Sequence, residues 1–168
     1  FPLEATQPST PAEPVPGPQL VIPGNGSRTV VVDAGHGGAQ IGAVHRFPDG
    51  FLLKEKDVNL KIARRVVALL REAGYRALLT RDSDDIVNRA GADLNGDQKV
   101  TVDDDLQARI DIANKEKADV FVSIHNNGHS NSELRGTEVY YDKDRPFAAK
   151  NYRLAQTVHL SLVSSIRA

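Results

Sequence analysis

The sequence predicts an α/β domain of three layers, a largely parallel sheet flanked by helices. Three observations predict it. The runs "VVV" at 30–32 and "VFVSI" at 120–124 are short, apolar and rich in β-branched residues, as expected of strands buried on both faces. Segments with an apolar period near 3.6 residues alternate with such runs, the order that builds a parallel sheet with crossover helices. Finally, 168 residues suit one domain with its own hydrophobic core.

Residues 1–27, "FPLEATQPSTPAEPVPGPQLVIPGNGS", hold most of the prolines and few apolar residues. Proline removes backbone donors and favours extended chain, so a solvated tether is expected; a tether to something upstream and a frayed terminus without a role fit equally. The first strand then follows in "RTVVVDAGHGG" and ends in a glycine-rich turn carrying His36. From Lys56 a helix is expected in "KDVNLKIARRVVALLREAGY", with Val58, Ile62, Val66 and Leu69 on its inner side and Gly74 as its stop. "YRALLT" reads as the next strand. "DLQARIDIANKEK" reads as a helix with Leu106, Ile110 and Ala113 on one face. "ADVFVSI" reads as a third buried strand and "TEVYY" as a fourth. "RPFAAKNYRLAQTVHLSLVSSIRA" reads as a last helix.

Composition excludes several functions. With a net charge of −1 and no basic cluster, the chain lacks the footprint of a nucleic-acid binder. The absence of cysteine rules out thiolate metal sites and disulfides, and fits an extracytoplasmic protein. No apolar run has the length of a membrane span. The chain does not begin with methionine, so it reads as a processed chain or a part of a longer one. Nothing suggests a coiled coil, and a monomer is expected.

In sheets of this class, ligands gather beyond the carboxyl ends of the strands. His36 and His125 both stand there, each just after a buried strand. A catalytic zinc site needs three His or carboxylate ligands and an open position for water. Glu55, after the loop "FPDGFLLK", is the third ligand type at a sensible place, though an acid favoured at a helix start by the macrodipole explains it equally. His125 taken alone is as readily structural.

Four blocks decide between these readings. "VVVDAGHGG", "KEKDVNLKIA", "GYRALLTRDSD" and "IDIANKEKADVFVSIHNN" resemble, in order, the zinc-dependent N-acetylmuramoyl-L-alanine amidases of bacterial cell walls, over about residues 28–162. The resemblance implies that His36, Glu55 and His125 bind one zinc ion. It also implies that peptidoglycan is the substrate, cleaved between N-acetylmuramic acid and the L-alanine of the stem peptide. The domain would span 28–168. The family's general-base glutamate lies in a segment resembling "PAVLVEIGFLSN", which does not occur in these residues, so the domain reads as incomplete and its catalytic glutamate as unassigned. Glu138, in "GTEVYY", is a weak candidate for that role. A non-catalytic wall-binding or regulatory domain on the same fold is the alternative. Gly35, Gly37 and Gly38 would turn the backbone to aim His36. Asp33 would either orient a ligand imidazole or serve the turn. Asn126 and Asn127 are candidate substrate contacts. His129 reads as solvated loop, and His45 and His159 as structural or surface residues.

An insertion at about 86–105 carries its own signature. In "DLNGDQKVTVDD", Asp93, Asn95, Asp97, Lys99 (through its carbonyl), Thr101 and Asp104 occupy positions 1, 3, 5, 7, 9 and 12 of a calcium loop. The stretch is similar to the calcium loops of dockerin modules, with Gln98 in place of the usual glycine and a single aspartate at position 12. A structural calcium ion and an acidic, solvated loop are the two readings.

Overall fold

The computed structural model describes residues 28–167 apart from 130, 132, 134 and 135; the expected tether at 1–27 lies outside the described residues. The chain divides into two compact units after Asn127. The first holds β1 (Thr29–Ala34), β2 (Val44–Arg46), β3 (Leu52–Lys54), α1 (Glu55–Glu72), β4 (Arg76–Leu79), α2 (Val102–Lys115) and β5 (Val120–Ile124). The second holds α3 (Ala148–Arg167).

β1 is the middle of a parallel sheet ordered β4-β1-β5, with Val31 opposite Leu78 on one side and Phe121 on the other. Every residue of β1 is buried, as its unbroken apolar run predicts. Alternation along the strand separates two faces. Val30, Val32 and Ala34 pack with Leu60, Ala63 and Val67 of α1 and with Ala77 of β4. Asp33 points to the other face, where Arg109 of α2 meets it. The expected layering, helices on both faces of a parallel sheet, is what the structure has.

β5 differs from its expected full burial. Val120 and Ile124 pack against the α1 cluster, but Phe121 is 40% exposed. Among the described residues β5 is an edge strand, and the hydrogen bonds from α2 to the sheet run from Arg109 to β1.

α1 runs as expected and stops at Gly74, whose positive φ of 85° lets Tyr75 N–H return to the Leu70 carbonyl. Its inner face is rotated from the expected one. Leu60, Ala63 and Val67 are buried; of the expected residues Val66 packs half-buried against this cluster and Val58 is half-buried, whereas Ile62 and Leu69 are exposed. Glu55 and Asn59, four residues apart, both turn inward, and their hydrogen bonds set the rotation of the helix.

α2 begins three residues earlier than read, inside the segment taken as insertion. Thr101 and Asp104 form a capping box: the Thr101 hydroxyl accepts from the Asp103 N–H, and Asp104 accepts from the Thr101 N–H. Its expected apolar face is the wrong one. Leu106 and Ile110 are about half exposed, while Asp104, Asp105 and Arg109 are buried. The Arg109–Asp33 and Arg109–Asp105 pairs turn this side of α2 toward the sheet, and Ala113 of the expected face is half-buried.

The segment "FPDGFLLK", read as a loop, is the tip and second strand of an antiparallel hairpin, with Val44 opposite Lys54. Gly50 closes its turn at φ 89°. In the second unit, 137–141 is not a strand: it forms no ladder among the described residues. The last helix is present, as expected.

The Asp104 carboxylate lies below its ordinary pKa because it accepts from the Thr101 N–H; burial opposes this, and the N–H groups of Leu94 and Asn95 add to it. A depressed carboxylate pKa contributes stability above the unfolded value of about 3.9, lost as pH falls through the folded value. The urea midpoint should therefore drop between pH 6 and pH 3. Asp104→Asn should lower the midpoint at pH 6 and flatten the drop; an equally steep acid limb in the variant would refute the assignment.

Candidate metal centre

The centre is assembled at the carboxyl ends of β1 and β5. The Gly35 N–H donates to the Ile124 carbonyl, which brings the residues after the two strands together. His125 then lays its ring over Gly35: a Cβ there would come within 2.3 Å of the ring's Cε1 and Nε2. Gly35 is thus required for close approach, whereas Gly37 and Gly38 take the positive φ angles expected of turn glycines. His36 itself adopts φ 63°, an unusual conformation for a side-chain-bearing residue. Its ring meets that of His125 edge to face, with centroids 4.8 Å apart.

Glu55 closes the third side. As the first residue of α1 it enjoys the helix macrodipole, and it is 5% exposed. Oε2 lies 3.3 Å from His36 Nε2, and Oε1 lies 3.2 Å from His125 Nδ1. Two backbone N–H groups hold the carboxylate: Ala43 donates to Oε2 at 2.8 Å and Asn126 to Oε1 at 3.0 Å. Gly42 makes room, since a Cβ there would sit 2.6 Å from Oε2 and from the His36 ring. Burial pushes the Glu55 pKa up, but the Ala43 N–H, the His36 imidazole, the Asn126 N–H and the Asn59 amide together hold it below its ordinary value.

One ligand atom from each of the three side chains lies within 4.8 Å of the others. Two imidazoles and one carboxylate, preformed, with both histidines partly exposed, match the donor set of a zinc site with an open position. The residues present fit the metal.

A shell of buried polar residues, not singled out in the sequence, supports these three. Asn59 donates from Nδ2 to the Gly35 carbonyl and accepts from the Asn126 side chain. Lys56 donates to the Gly38 carbonyl and to Asp84. Arg81 donates to the carbonyls of Ala34, Gly35 and Lys56, and Arg109 to those of Ala34 and His36. The one signal for Asn59 was a polar residue four places after Glu55 on the same helical face.

The other sequence candidates fall out variously. Asp33 bonds neither imidazole; it accepts from Thr80, Arg109 and Ser123, so its expected role as orienter of a ligand ring is replaced by a tie within the sheet. Asn126 braces Glu55 and Asn59, and Asn127 is exposed beside it. His45 meets Phe47 edge to face at the hairpin, His129 is exposed and accepts from the Asn131 N–H, and His159 lies in α3. Glu138 is exposed and accepts from the Tyr140 hydroxyl at 2.6 Å.

In the 86–105 segment, the oxygens go to the loop's own backbone. Asp93 accepts from Gly96 and Gln98, Asn95 from Asp97, Asp97 from Lys99, and Asp104 from Leu94, Asn95 and Thr101. Among the described residues, His36, Glu55 and His125 are the group of three His, Asp or Glu residues that converges as metal ligands, and the loop's aspartates do not join such a group.

Fold and site together define an α/β domain built around a candidate two-histidine, one-carboxylate metal centre. The chain belongs to the Amidase_3 family, N-acetylmuramoyl-L-alanine amidase, whose profile matches residues 30–168. It is 33% identical over 138 residues to N-acetylmuramoyl-L-alanine amidase LytC of Bacillus subtilis, covering 82% of this chain and 23% of that protein. It is 37% identical over 115 residues to AmiA of Escherichia coli, covering 68% and 32%. Among solved structures, AmiC2 of Nostoc punctiforme matches with TM-score 0.56 and 39% identity, over 80% of this chain and 61% of that one. An N-acetylmuramoyl-L-alanine amidase from Clostridium difficile 630 matches with TM-score 0.62 and 29% identity, over 84% and 65%. The chain thus spans about a quarter to a third of the length of these two curated relatives.

If the centre holds a metal ion, Gly35→Ala should weaken its binding about 10- to 100-fold, the range seen when the surroundings of metal ligands are disturbed, because the methyl displaces the His125 ring. Competition with a chromophoric chelator measures this; unchanged affinity in a folded variant would contradict the packing described.

Proposed function

We propose that this chain is a zinc-dependent amidase domain that hydrolyses the amide between N-acetylmuramic acid and the L-alanine of the peptidoglycan stem peptide. The convergence of His36, Glu55 and His125, in a chain of this family, carries the reading. Bound at these three side chains, zinc would lower the pKa of a coordinated water and polarise the scissile carbonyl. The residues around it do the positioning. Glu55 is kept ionised and immobile by the Ala43 and Asn126 N–H groups, so its charge is ready without reorganisation. Gly35 and Gly42 let both imidazoles and the carboxylate crowd one point. Asn127, exposed and two residues after His125, is the proposed substrate contact.

Hydrolysis also needs a proton carrier for the attacking water and the departing amine. The motif that supplies it in the family does not occur among the 168 residues, and Glu138 is the weak candidate within them. The second reading is a wall-binding or regulatory domain on the same fold. Residues 28–168 form the proposed domain, working as a monomer outside the cytoplasm. No helix among the described residues is long and apolar enough to cross a membrane.

For the insertion we propose a structural calcium ion. Gln98, at position 6 of the loop, takes φ 66°, the left-handed conformation for which glycine is usual there. If calcium binds, millimolar calcium should raise the melting temperature by a few degrees, and Asp93→Ala should abolish the rise; no rise in the parent chain would leave the acidic, self-capped loop.

Zinc-loaded chain incubated with purified peptidoglycan should release stem peptides bearing new L-alanine amino termini, and chelator should stop the release. Glu55→Gln should reduce it at least tenfold. One zinc bound per chain with no release would favour the wall-binding reading.

A further inference from the structure

The site does not stand on its ligands alone, and one buried side chain links it to the insertion. Arg109 is 2% exposed. Its Nη2 donates to the His36 carbonyl at 2.9 Å, and its Nη1 to the Ala34 carbonyl at 2.9 Å and to Asp33 at 2.7 Å. Nε and Nη2 both donate to one oxygen of Asp105, at 3.0 and 2.9 Å. The other oxygen of Asp105 accepts from the N–H groups of Val87 and Asn88, at 2.6 and 2.9 Å, where the insertion begins. A continuous chain of charge-assisted hydrogen bonds therefore runs from the first residues of the insertion to the main chain of a metal ligand.

The end of this chain is where rigidity is needed. His36 holds φ 63°, a conformation a residue with a Cβ keeps only when its surroundings impose it. Arg109 grips the carbonyl of that same residue. A guanidinium presents donors in a fixed planar fork, so it can fix two carbonyls and two carboxylates at once, which a lysine cannot.

We propose that Arg109 is a positioning residue for the metal ligand His36, and that through Asp105 it couples order in the 86–105 segment to metal occupancy. The inference rests on the zinc reading above. Coupling free energy is reciprocal: if an ordered insertion favours zinc, zinc must favour the ordered insertion.

Hydrogen exchange on the unmodified chain, zinc-free against zinc-loaded, tests this without relying on a variant that folds. Zinc should slow exchange of the Val87 and Asn88 amides at least tenfold. In Asp105→Asn that slowing should shrink, and chelator competition should show weaker zinc binding by about 10- to 100-fold. The cobalt-substituted variant should show an altered visible absorption spectrum, a signature of ligand geometry that a general loss of stability does not move. Zinc bound with unchanged exchange at Val87 and Asn88 would overturn the coupling while leaving the metal site intact. Failure to bind zinc at all would remove both readings.

Discussion

The Asp33 carboxylate is the point on which the first unit hangs. It is 3% exposed on the central strand, and it accepts from Thr80 just after β4, from Ser123 on β5 and from Arg109 on α2. One side chain thus ties all three strands of the sheet to the helix on its outer face. A buried carboxylate is tolerable only when its lone pairs are filled, and here an arginine and two hydroxyls fill them. Removing Arg109 would leave two buried carboxylates, Asp33 and Asp105, without the guanidinium that pairs with both, so the tie is also a constraint on what else can change nearby.

From that tie the site follows. The carbonyls of Ala34, Gly35 and His36 are exposed by the end of β1, and two buried arginines receive them. Burial lowers the pKa of Arg81, as does the neighbouring charge of Arg109, yet an arginine remains charged through such shifts. The ligand loop therefore lies over two fixed cations whose hydrogen bonds go mainly to main-chain oxygen. On the other side of the loop, Glu55 answers with a fixed anion held by amides. Between these layers, the histidines have little freedom to drift.

The layered fold was legible because it rests on apolar runs and helical periods, and local chemistry marked the strand ends and the Gly74 stop. That His36, Glu55 and His125 belong together as candidate ligands was legible only through ordered blocks of family resemblance, since 19 and 70 residues separate neighbours in the chain and no spacing rule connects them. What periodicity could not show was rotation. Apolar pattern pointed to Val58 and Ile62 on α1 and to Leu106 and Ile110 on α2, but Glu55, Asn59 and Arg109 claimed the inward faces through hydrogen bonds to distant backbone. Such partners are invisible to a local reading. The hairpin was missed for a related reason: its strands are three residues each, too short for alternation to register.

The attachment of α2 by charge has a consequence for how this domain comes apart. Denaturants weaken a structure in proportion to the surface newly exposed on opening. Leu106 and Ile110 are already about half exposed, so what lifting α2 off the sheet newly uncovers is led by the buried Asp105 and Arg109, with Ile112 and Ala113 half-buried beside them. Such an opening has a shallow dependence on urea and a small heat-capacity change, unlike the melting of α1, which uncovers Leu60, Ala63 and Val67. Two layers of one small sheet thus answer to different solvents: the α1 side to agents that dissolve hydrocarbon, the α2 side to salt and acid.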